Sequence, residues 1–220
     1  MLCTLLGLSL CFSLCGTAFA AQKHMSNFGP VNYYADPFSD VAKAAWYAPS
    51  VKQCYEFGII TGANGKFDPA GTLSVAQALA IVDRIHGIYE NGEDTLSGEG
   101  WRWWEPYADY AVAEGIITET TFDSYTRPIT RAEAAYLFAR ALPAAEFYAI
   151  NDVSAPADVP RGKYYASILL LFNAGVLTGD GEERLLRPDD TLKRSEIAAV
   201  AARTVVPSLR VTFPADEGDA

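Results

Sequence analysis

The sequence predicts an all-α fold assembled from three copies of one helix-loop-helix unit, and three observations predict it. Three segments end alike, Tyr55-Glu56-Phe57-Gly58-Ile59-Ile60-Thr61, Val112-Ala113-Glu114-Gly115-Ile116-Ile117-Thr118 and Phe172-Asn173-Ala174-Gly175-Val176-Leu177-Thr178, so that Gly58, Gly115 and Gly175 recur at near-equal spacing. An aromatic-led amphipathic stretch precedes each glycine, and a helix-start signature follows each intervening loop. With 50% hydrophobic and 20% charged residues, the 220-residue chain has the apolar mass for a sizeable core.

The first helix of each unit is predicted over residues 46–57, 103–114 and 164–174. Within the first of these, Val51, Cys54 and Tyr55 fall at the spacing of one helical face. Glycine past the last turn suits the left-handed backbone that often ends a helix, where a side chain would clash. Polar loops follow at 62–69, 119–128 and 179–188, the middle one shortened. The second helices open at Leu73-Ser74-Val75-Ala76-Gln77, Ile129-Thr130-Arg131-Ala132-Glu133 and Leu192-Lys193-Arg194-Ser195-Glu196, and Arg84, Arg140 and Arg203 follow in a common register. Ser74 with Gln77 and Thr130 with Glu133 have the form of a capping box, in which side chains satisfy the amides of a helix start. The stretch after Thr130 is apolar on nearly every side, which places the second helices at the centre.

Residues 1–20 carry no charge and run through Leu5, Leu6, Leu8, Leu10 and Phe12 to Ala18-Phe19-Ala20, the pattern of a secretory signal peptide cleaved after Ala20. Three of the four cysteines leave with it, and Cys54 is read as a small buried hydrophobe. The net charge of -10 therefore belongs to the mature part, which argues against a nucleic-acid partner. No later apolar run reaches the roughly 18 residues of a membrane-spanning helix. The mature chain is expected to be a monomer.

At these motifs the sequence resembles the S-layer homology family, modules that attach proteins to bacterial cell walls. The pieces that carry the likeness are Phe38-Ser39-Asp40-Val41, Trp46, Gly58-Ile59-Ile60-Thr61-Gly62 with Phe67 and Pro69, and Ile129-Thr130-Arg131-Ala132-Glu133. The resemblance divides the mature chain into an N-terminal segment at 21–35, repeats at 36–92, 93–147 and 148–207, and a polar tail at 208–220. It implies a pseudo-threefold trimer of repeats within one chain, with a central three-helix bundle and ligand grooves between neighbouring repeats. The implied partner is a secondary cell-wall polysaccharide or peptidoglycan-linked polymer, often bearing a pyruvate ketal on an amino sugar, and the implied location is the cell wall or S-layer.

Carried over by motif, the ligand-binding candidates are Asp40 and Asp152 before the first helices, Trp46 and Trp103, and Arg131 and Arg194 with Glu133 and Glu196 of the same motifs. An arginine just inside a helix N-terminus combines a forked donor with free backbone amides, a combination suited to a carboxylate. Tryptophan can stack on a sugar face, and Trp46 and Trp103 are read either so or as core anchors. Val75 stands where the first repeat would carry that arginine, the second repeat lacks a Phe38-Ser39-Asp40-Val41 counterpart, and Lys163-Tyr164-Tyr165 replaces a tryptophan after an insertion at 156–162. Unequal grooves follow from these departures, with those using Arg131 and Arg194 dominant.

No cofactor is expected, no His or Cys cluster has metal-ligand spacing, and no pair of acids is singled out for hydrolysis. The chain reads as a non-catalytic module. A surface adaptor that binds a protein partner is the alternative, and a small wall-acting hydrolase is a more distant one.

Overall fold

The computed structural model describes residues 24–213; the signal segment at 1–20 and the acidic end of the tail lie outside the described residues. The described chain is all-α, with six α-helices and isolated backbone bridges in place of strands. They are α1 (Ala48–Glu56), α2 (Val75–Asn91), α3 (Glu105–Ala113), α4 (Arg131–Phe138), α5 (Tyr165–Asn173) and α6 (Arg194–Val205). Gly58, Gly115 and Gly175 hold φ of 72°, 71° and 69°, the left-handed stops predicted for α1, α3 and α5. Of these three, Gly175 is also sterically fixed, because an added Cβ would lie 2.5 Å from the Val211 carbonyl oxygen. Both reciprocal capping boxes form, Ser74 with Gln77 and Thr130 with Glu133.

Helices α2, α4 and α6 touch one another at the centre, and each carries an apolar body that leaves few polar faces exposed. The first helices pack across units: α3 lies on α2, α5 on α4 and α1 on α6, so the beginning of the chain closes onto its end. Cys54 marks that closure. Its thiol is fully buried 3.4 Å from the Ala198 carbonyl, and burial pushes its pKa up to about 12, so it packs and does not react.

The loops join the ring as well. The amides of Val75 and Ala76 at the start of α2 donate to Arg127 and Tyr125 of the second loop; those of Arg131 and Ala132 donate to Asp190 and Pro188 of the third; those of Arg194 and Ser195 donate to Gly71 and Pro69 of the first. Each helix start is thus satisfied by carbonyls of another unit, a need that the first-turn amides of any helix must meet somewhere.

Asp83 breaks the apolar pattern of α2. It is fully buried, and neither carboxylate oxygen has a hydrogen-bond partner among the described residues. Burial first, then the nearby Asp94, pushes its carboxyl from 3.8 up to about 8, against an opposing pull from Arg84. The folded chain keeps a proton that the unfolded chain releases near pH 4, so stability falls as pH rises from about 4 to about 8, where the penalty for this buried carboxyl is complete. Asp83→Asn is expected to raise stability at pH 8 by about 2 to 4 kcal/mol relative to its effect at pH 4. Thermal melts at the two pH values check this, and equal shifts at both would remove the proton from the account.

Candidate ligand-binding site

Two grooves are built alike, each from three units. Groove three, about 290 Å³, runs along the loop at Thr178-Gly179-Asp180 and the exposed side of α6, with Arg131 entering from the start of α4 and Trp46 from the first unit. Groove one, about 360 Å³, runs along Thr61-Gly62-Ala63 and α2, with Arg194 entering from the start of α6 and Trp103 from the second unit. Gln77 and Arg84 in groove one stand where Glu196 and Arg203 stand in groove three. Trp46 is 64% exposed, which favours a contact surface over a core anchor. Trp103 is half-buried, with edge contacts to Trp104 and Tyr107.

At the corresponding place of the second unit, among the described residues, side chains of the second and third units pack against one another. Val75 is buried and offers no cation. Arg140 lies 3.6 Å over the Tyr136 ring and donates to Ser167 Oγ, while Lys163 sits by the Tyr136 and Tyr164 rings and donates to the Thr121 carbonyl. Glu133 is taken up by Arg127, which donates two hydrogen bonds to it at 2.9 and 2.7 Å. Burial alone would raise the Glu133 carboxyl, but Arg127 and the Thr130 amide outweigh it and hold it below its ordinary range. Glu133 therefore sits in a cap and an ion pair, away from both grooves.

The acids before the first helices serve the loops. Asp40 accepts the amides of Phe67 and Asp68 at 2.8 Å each, and these bonds overcome the effect of burial to lower its pKa. Its counterpart in the third unit is Asp158, which accepts the amides of Leu186 and Arg187. Asp152, named with Asp40 as a ligand-binding candidate, is exposed and lines neither groove. Asn151 explains the slip: it matches Asn32, since Asn32 bonds the Tyr55 carbonyl near the end of α1 and Asn151 bonds the Phe172 carbonyl near the end of α5. The signal was in the spacing, because Asp158 precedes Tyr164, the N-cap of α5, by six residues, much as Asp40 precedes its counterpart Tyr47 by seven. Residues 156–162 are accordingly the Asp-loop segment itself, and no insertion is needed to align them.

The two arginines also differ from the expectation. Their helix-start amides are not free for a ligand, because the neighbouring loops take them. What remains is each guanidinium. Arg131, with 14% of its side chain exposed, is paired with Asp180 at 3.4 Å and closely with Glu196, and its buried Nε has no acceptor. Among the described residues Arg194 makes no ion pair, and its Nε donates to the Phe67 carbonyl at 2.6 Å. Burial lowers its pKa, against the pull of Asp68 and Asp40.

The loop, helix and motif that build the first unit are also those that comparison with known proteins picks out. Residues 37–79 match the S-layer homology domain. That domain is a non-catalytic module that binds cell-wall polymers, and its presence associates the chain with the cell surface or wall. The chain is also 30% identical over 127 residues to an endoglucanase of Bacillus sp. (strain KSM-635). That match covers 56% of this chain and 13% of the endoglucanase, so the chain spans only a small part of the relative's length. Among the described residues no helix is long and apolar enough to cross a membrane.

Proposed function

We propose that the chain is an exported anchor made of three S-layer homology repeats about a pseudo-threefold axis, with repeats at 36–92, 93–147 and 148–207. It holds a secondary cell-wall polymer in grooves one and three. The observation that carries this reading is the repeated assembly of a groove from one unit's loop and helix, a second unit's arginine and a third unit's tryptophan. An indole beside a fixed guanidinium fits a sugar ring that carries a carboxylate, since one stacks on the ring and the other forks onto the anion. The directional donors let an acidic protein of net charge -10 capture an anionic polymer at close range.

Competition tests it. Binding of the chain from Ala21 onward to cell-wall sacculi is expected to fall on addition of a pyruvylated N-acetyl amino sugar and to stand unchanged with the unmodified sugar at the same concentration. Equal competition by the two sugars would reject the anion component of the reading.

A further inference from the structure

The first and third units differ in what covers the end of their first helix. In the third, Ile150 and Asn151 donate their amides to the Asn173 carbonyl at 2.8 and 3.0 Å, and the Asn151 side chain bonds the Phe172 carbonyl. Residues 211–213 then lie across this corner. The Val211 amide donates to the Gly175 carbonyl at 2.9 Å, Asn151 Nδ2 donates to the Val211 carbonyl at 2.9 Å, and the Phe213 amide donates to Asn151 Oδ1 at 2.7 Å. The Phe213 ring packs on Phe172 with centroids 6.2 Å apart. Bonds from alternate residues of one segment are the pattern of a strand laid along an edge.

The first unit builds the same corner and leaves it uncovered. Val31 and Asn32 donate to the Glu56 carbonyl at 2.7 and 3.0 Å, and Asn32 Nδ2 donates to the Tyr55 carbonyl at 2.9 Å, matching the third unit bond for bond. Among the described residues nothing donates to the Gly58 carbonyl or to Asn32 Oδ1. A Cβ on Gly175 would lie 2.5 Å from the Val211 carbonyl oxygen, whereas within 4 Å one on Gly58 would meet only side-chain atoms of Val31 and Asn32. Val31 is 74% exposed where its counterpart Ile150 is partly buried, and Tyr33 beside it is 87% exposed. None of Val31, Asn32, Tyr33 and Gly58 lines groove one or groove three.

We propose that this corner of the first unit docks an extended peptide of another protein, with a β-branched residue facing Gly58 and an aromatic residue two positions on. The occupant's chemistry is read from the segment seated in the third unit. Its backbone bonds the Gly58 carbonyl and both polar atoms of the Asn32 side chain, which gives affinity without regard to sequence. Its aromatic ring packs on the partly exposed Tyr55, as Phe213 packs on Phe172, and its apolar side chains cover Val31 and Tyr33, which supplies the selectivity. Residues 211–213 of a second copy are already held in their own third unit, so the occupant comes from a different protein.

The probe is an acetylated, amidated peptide that copies Arg210-Val211-Thr212-Phe213-Pro214, added at millimolar concentration to the chain from Ala21 onward while backbone amide chemical shifts are followed. The parent is expected to bind one equivalent, with shifts centred on Val31, Asn32 and Gly58. Deleting residues 211–220 vacates the third unit's corner and is expected to raise the count to two, which makes that corner the internal standard. Gly58→Asn is expected to weaken binding at the first unit about tenfold or more, because its Cβ takes the place of the peptide carbonyl. Asparagine accepts left-handed backbone, so circular dichroism of this variant is expected to match the parent. Peptide bound only at the vacated third corner, or at neither, would overturn the proposal. So would a parent that forms dimers lost on deletion of residues 211–220, since the occupant would then be a second copy's tail.

Discussion

Removing residues 148–213 is expected to abolish cooperative unfolding of what remains. Helix α1 rests on α6, and the amides that start α4 donate to Asp190 and Pro188, so the deletion strips partners from both ends of the remaining chain. Val51 and Cys54 of α1 are completely buried, and so are Ile59, Leu73 and Leu79 of the first unit. Each large apolar side chain returned to water costs roughly 1.5 to 3 kcal/mol, while a domain of this size is held by only about 5 to 15 kcal/mol in total. Losing the cover of several of them exhausts that margin. Calorimetry on the fragment should show no sharp transition; a fragment melting cooperatively at the parent's temperature would mean the units fold independently and the closure is incidental.

The second large effect concerns binding. Arg194→Ala is expected to weaken wall binding about ten- to a hundredfold, the equivalent of the roughly 1.5 to 3 kcal/mol of a charge-assisted hydrogen bond. Val75→Ala should change it little, because Val75 is buried and carries no donor. Arg131→Ala should fall between them, since the arginine it removes is already paired with Asp180 and Glu196. Two grooves on one polymer share the load, so Arg131→Ala/Arg194→Ala is the variant in which avidity no longer masks the loss. Sedimentation with sacculi and a far-ultraviolet spectrum of each variant check this, and a folded double variant binding like the parent would take both arginines out of the site.

What could be read from the sequence was local. Helix starts at Ser74 and Thr130 were legible because a capping box is made within four residues, and the stops at Gly58, Gly115 and Gly175 because left-handed backbone has a residue signature. Arg131 and Arg194 were singled out by their motif at the second helix starts, and both line grooves. Their state was not legible: Arg131 meets Asp180 and Glu196 only because α4 starts against the third loop, a contact between distant positions that no local pattern encodes. The same holds for the helix-start amides, which pair with loops of other units. Asp158 was missed for another reason, as two Asp-Val dipeptides stand close together at Asp152 and Asp158, and only the spacing to Tyr164 separates them. Asp83 was hidden inside an otherwise apolar helix, where its burial depends on how α2 is surrounded.

The most direct test of the central claim is binding to sacculi before and after acid extraction of their secondary polymer. The chain from Ala21 onward is expected to co-sediment with intact sacculi, and to remain in solution with extracted sacculi whose peptidoglycan is otherwise whole. Undiminished binding to the extracted material would contradict the account, and would direct attention to peptidoglycan or to a wall protein as the partner.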